Sequence, residues 1–154
     1  RPPRSTLFPY TTLFRSDAAT ERFHTLAGDI QQTEAELSRV SDLMAAVVQY
    51  AKTRPAFDGY KAAKYSRKYL AEHEAELADY RAAKATMAEL LGGEKLPKMD
   101  VLKEKRRQLA ARKKALYLEY RKAQQDMREL VAVKGSVDHL RGLTDNQRNK
   151  EQAR

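Results

Sequence analysis

Apolar residues recur through this chain at intervals of three and four, the spacing that places side chains along one line of a helix. The most regular stretch is FHTLAGDIQQTEAELSRVSDLMAAVVQYA, where Phe23, Leu26, Ile30, Thr33, Leu37, Val40, Met44, Val47 and Ala51 form one seam. A seam sustained for four heptads predicts a helix packed against partner helices, over residues 18–52. Asp17 or Thr20 can cap its start, and Thr53-Arg54-Pro55 marks its end, because the residue before a proline avoids helical geometry.

Pro55 also suits the first turn of a second helix, expected over residues 55–91. Its later half carries the seam Leu70, His73, Leu77, Tyr80, Lys84, Met87 and Leu91. Phe57, Tyr60, Tyr65 and Tyr69 do not keep that register, so a kink or break is expected between Gly59 and Lys68. Gly92-Gly93 should close the helix through a left-handed cap. A third helix is expected over residues 98–141, just after Pro97 and before Gly142. Its seam is Leu102, Leu109, Leu116, Tyr120, Ala123, Met127, Leu130 and Val137, interrupted by Arg106, Lys113 and Lys134. The long stems of those cations can cover a neighbour while their charges reach water. Short connections between long helices favour antiparallel neighbours. The fold expected is all-α: an extended antiparallel three-helix coiled coil with a long basic third helix, spanning residues 17–142. The polar tail at residues 143–154, with almost no apolar content, is expected to be disordered.

The first sixteen residues, RPPRSTLFPYTTLFRS, depart from this pattern and hold three of the five prolines. Pro9, Thr11 and Thr12 interrupt any continuous apolar core, so the segment does not read as a secretory signal. It resembles a translated high-throughput sequencing adapter, all sixteen codons fitting one frame. That resemblance implies a non-native, disordered segment, a chain proper that begins at Asp17, and a lost native start.

Composition narrows the function. Of the 154 residues 33% are charged, none is cysteine, and no apolar run approaches the roughly 18 residues of a membrane span. The formal charge of +9 falls to +6 once Arg1, Arg4 and Arg15 are set aside. Residues 98–141 carry 13 Lys or Arg against 6 Asp or Glu, whereas residues 17–52 carry 3 against 6. One reading is that the acidic first helix and the basic third attract each other. The other is a sequence-independent contact with the DNA backbone through Lys103, Lys105, Arg106, Arg107, Arg112, Lys113, Lys114, Arg121 and Lys122. At 100° per residue these cations spread round the helix as a collar more than as a stripe.

Candidate chemistry is thin. HEAEL at residues 73–77 starts like a zinc-protease helix but has Leu77 where the second histidine should stand. His24, His73 and His139 lie far apart in sequence, LLGGEK lacks the remainder of a phosphate loop, and the tyrosines have no histidine cluster to activate them. No catalytic residue, metal or cofactor is therefore expected.

The segments EHEAELADYRAAK, LPK, ALYLEYRKAQQDMREL and VDHL resemble the C-terminal helical region of relaxases, the mobilisation nucleases of plasmids and conjugative transposons, over residues 37–140. Relaxases nick one DNA strand with an N-terminal tyrosine and a metal held by histidines, none of which has a counterpart here. The resemblance implies a non-catalytic accessory region of a cytoplasmic bacterial protein, touching DNA, transfer-machinery or relaxosome partners, with no membrane role. Self-association through the partly polar third seam is a further expectation. The alternative is a structural or protein-interaction coiled coil without nucleic-acid binding.

Overall fold

The computed structural model describes the backbone of residues 7–153 and the side chains of residues 17–153. The expectations for residues 1–6 and 154 lie outside the described residues. The described residues contain no strand and form four helices: α1 (Leu7–Ala62), α2 (Arg67–Glu72), α3 (Glu74–Leu91) and α4 (Met99–Gln152). The all-α class follows directly. α4 covers most of the residues expected for the third helix.

Two compact units divide the chain: Gln32–Lys113, and a second made from the segments up to Gln31 and from Lys114 on. In the Gln32–Lys113 unit the core is Val40, Leu43 and Met44 of α1 with Leu102 and Leu109 of α4. Met87, Leu90 and Leu91 of α3 pack against it, so three helices share one apolar interior. Leu77 of α3 is the most deeply buried large side chain, at 1% exposure. Polar contacts also join these helices. Arg39 of α1 donates from Nε and Nη2 to the Leu90 carbonyl, one of the last carbonyls of α3. Such carbonyls have no partner within their own helix, so a guanidinium there satisfies both the hydrogen bond and the helix dipole. Gln49 donates to Asp79 at 3.2 Å.

Among the described residues of the other unit, Leu26, Ile30 and Ala123 are buried. Phe23 of α1 stacks on Tyr120 of α4 with ring centroids 4.8 Å apart.

Several boundaries differ from those read in the sequence. α1 passes through Pro55 and continues to Ala62, so neither the end at residue 52 nor the start at Pro55 holds. Pro55 lies on an exposed face, while Thr53 and Ala56 are buried and Phe57 stacks on Tyr80 at 4.3 Å. Packing on both sides of the proline outweighs the roughly 3 kcal/mol that a mid-helix proline costs. Thr53 is accommodated inside the helix because its hydroxyl donates to the Gln49 carbonyl at 2.7 Å.

The break expected between Gly59 and Lys68 falls at residues 63–66. A second interruption at His73 separates α2 from α3. Gly92 ends α3 at φ 56°, as its position implied.

The first sixteen residues were expected to be disordered, yet α1 starts at Leu7 and includes Leu7–Ser16. Pro9 stands in its first turn, where a missing N–H costs nothing. Likewise α4 does not stop before Gly142 but runs to Gln152, through most of the tail expected to be disordered. Every residue from Val131 to Ala153 is exposed, so local backbone bonding and the helix preference of the Arg, Lys, Glu and Gln residues there carry that stretch.

Seam positions also divide. Ala51, Lys84, Lys134 and Val137 are exposed, whereas Leu43, Ala46 and Ala83 lie off the seams and are buried. In the Gln32–Lys113 unit α1 meets both α3 and α4, so its apolar face is wider than one heptad seam.

Candidate nucleic-acid interface

Of the nine cations proposed for DNA, eight are exposed: Lys103, Lys105, Arg106, Arg107, Arg112, Lys114, Arg121 and Lys122. Lys113 is half-buried and pairs with Glu34 of α1 at 3.2 Å. That pair joins α1 to α4 and accounts for one cation of the nine. Arg107 pairs along its own helix with Glu104 at 2.9 Å. Gln108 donates to the same carboxylate at 3.2 Å. The Arg107 bond chiefly, with the Gln108 bond second, holds the Glu104 carboxyl below the usual carboxylate range. The same contact pushes the Arg107 guanidinium further into its charged form.

The burial of Leu102 and Leu109 fixes which side of α4 faces the core of the Gln32–Lys113 unit. Lys103 and Arg107, four residues apart, share a face turned from that seam, whereas Lys105 and Arg112 lie on another. In the other unit Lys114 and Arg121 are one heptad apart, and Arg128 continues the same line. The nine cations thus lie on several faces of α4. This arrangement can neutralise phosphates.

The histidines stay separate. His24 sits edge-on to Phe23 with centroids 6.1 Å apart. His73 packs on Tyr69 at 4.2 Å and lies 3.9 Å from Glu76. His139 is exposed on α4. Among the described residues no three His, Cys, Asp or Glu side chains gather as a metal site, and no helix is long and apolar enough to cross a membrane.

The tyrosines are grouped more closely than their sequence spacing indicated. Tyr80 is buried between Tyr50 and Phe57, with centroids 5.2 Å and 4.3 Å away. Burial first, and the Tyr50 hydroxyl second, push the Tyr80 phenol above its ordinary range. Tyr69 reaches back across the 63–66 break to donate its hydroxyl to the Ala56 carbonyl at 3.0 Å. Gly59 makes room for it: a Cβ there would overlap the Tyr69 hydroxyl. Comparison with protein-family models, curated proteins and solved structures finds no match to this chain.

Proposed function

We propose that this chain is a non-catalytic accessory helical region of a DNA-mobilisation relaxase, and that α4 contacts the DNA backbone without reading sequence. In this reading its helices form an extended antiparallel three-helix coiled coil of a cytoplasmic bacterial protein, with the basic helix presented to DNA. The observation that carries the DNA contact is the exposure of eight of nine clustered cations, of which Arg107 alone meets a carboxylate among the described residues. Cations held for folding would face carboxylates across the helix interface, as Lys113 faces Glu34. Unpaired exposed cations retain their full attraction for phosphate.

The test is the salt dependence of duplex binding by the whole chain. Each phosphate neutralised contributes about −0.9 to the slope of log affinity against log salt. Changing Arg106, Arg107, Arg112, Lys113 and Lys114 together to Ala should flatten that slope while helicity by circular dichroism is retained. Absence of duplex binding at about 50 mM salt refutes the reading.

A protein-interaction role without nucleic acid is the second reading. It is favoured by Val131, Val133, Val137, Leu140 and Leu143, which α4 leaves between 40% and 67% exposed. Transfer-machinery or relaxosome proteins, or a second copy of the chain, would be the partners in that case.

A further inference from the structure

The turn between α1 and α2 places two residues with side chains in the left-handed region. The Tyr65 N–H donates to the Tyr60 carbonyl and the Lys64 N–H to the Lys61 carbonyl, both at 3.0 Å. These nested bonds are the helix-ending arrangement in which the residue just past the cap is left-handed, a position glycine usually fills. Here Lys64 occupies it at φ 53°, and Tyr65 follows at φ 60°. Two consecutive left-handed residues with side chains cost about 1–2 kcal/mol each. Strain kept at an exposed site points to a use for the side chains it displays.

Those side chains form one chemical pattern. Tyr65 is 60% exposed and is held edge-on by Tyr60, their centroids 5.2 Å apart and rings at 88°. Tyr60 stacks on Tyr69 at 6.1 Å, and Tyr69 packs on His73 at 4.2 Å, so four rings run in succession to the exposed one. Lys61, Lys64, Arg67 and Lys68 surround the turn and are exposed. Lys61 lies over the Phe57 ring at 4.9 Å. No Asp or Glu occurs between Asp58 and Glu72, and Asp58 is engaged by Arg54 at 3.8 Å.

We propose that this elbow docks single-stranded nucleic acid: an unpaired base stacks on the Tyr65 ring, and the adjoining phosphates meet Lys61, Lys64, Arg67 and Lys68. An exposed aromatic ring among cations suits a strand whose bases are free, because every base offers a stacking face and every linkage a phosphate. A duplex keeps its bases stacked on one another and offers this ring nothing. The proposal shares with the reading above the assumption of a nucleic-acid partner, and uses none of the same residues.

The test uses the whole chain with a labelled oligothymidylate of about 12 nucleotides and a blunt duplex, followed by fluorescence anisotropy. Tyr65→Ala should weaken single-strand binding about 5- to 100-fold and leave duplex binding unchanged, whereas Tyr65→Phe should bind like the parent. An abasic strand should bind the parent as weakly as the oligothymidylate binds Tyr65→Ala. Circular dichroism of each variant checks that the helices persist. Equal single-strand affinity for the parent and Tyr65→Ala, or equal affinity for abasic and normal strands, overturns the proposal. Duplex binding without single-strand binding removes the elbow and spares the α4 contact. Single-strand binding that depends on Tyr65, with no duplex binding, does the reverse, and a chain that binds neither refutes both.

Discussion

The beginning and the end of α4 are written in the same residues but have different fates. Near its start, Leu102 and Leu109 lie at 3% and 7% exposure in the Gln32–Lys113 core. From Val131 onward the same helix carries Val133, Val137 and Leu140 at comparable spacings, and none of them is buried. Heptad spacing therefore states which residues could share a face, whereas burial needs a partner at that face. Stability should follow burial and ignore spacing.

The sharpest way to break that comparison is to truncate one leucine on each side of it. Leu102→Ala, at 3% exposure near the start of α4, should cost about 2–5 kcal/mol in urea unfolding, because a cavity adds to the lost transfer energy. Leu140→Ala should change stability by no more than about 0.5 kcal/mol. Equal costs would mean that the end of α4 is packed in solution.

A smaller effect contrasts the two left-handed turns. Gly92→Ala places a Cβ at φ 56° and should cost about 1 kcal/mol. Lys64→Gly relieves a residue already at φ 53° and should stabilise by about 0.5–1 kcal/mol, read by thermal melting. Opposite signs would confirm that the elbow carries strain which the α3 terminus avoids. The same comparison bears on the elbow proposal, since a turn kept only for folding would have no reason to retain lysine there.

The smallest effect concerns alkaline pH. Burial raises the Tyr80 phenol above its ordinary value of about 10, so the folded chain holds this proton more firmly than the unfolded chain. Its contribution is complete below pH of about 10 and is lost as pH climbs through the raised folded value. Tyr80→Phe should flatten the fall of melting temperature in that window.

Much of the helical organisation was legible because it depends on local chemistry. Gly92 closed α3 since glycine enters the left-handed region without a Cβ, and the loss of register among the tyrosines placed a break between Gly59 and Lys68, within which residues 63–66 fall. The seam residues Leu26, Ile30, Val40 and Met44 are buried for the reason their spacing gave. Pro55 was misread because its local rule is opposed by Thr53, Ala56 and Phe57, whose packing partners are distant in sequence. Arg39 was missed because its acceptor, the Leu90 carbonyl, lies 51 residues away. The nine cations of α4 were visible as a basic run, but the Lys113–Glu34 pair was not. The Lys64–Tyr65 elbow left only a faint trace, a tyrosine-rich basic stretch out of register, because backbone strain has no residue signature.

Local preferences alone thus settled that this chain is helical, where α3 ends, and that α4 is basic, since each is a property of neighbouring residues. Tertiary structure decided that α1 runs through Pro55, that Leu43 and Ala83 join the interior, and that Tyr80 is buried while Tyr65 stands exposed. Those outcomes rest on contacts between residues remote in sequence, and the free energy of such contacts exceeds the local preference it overrides.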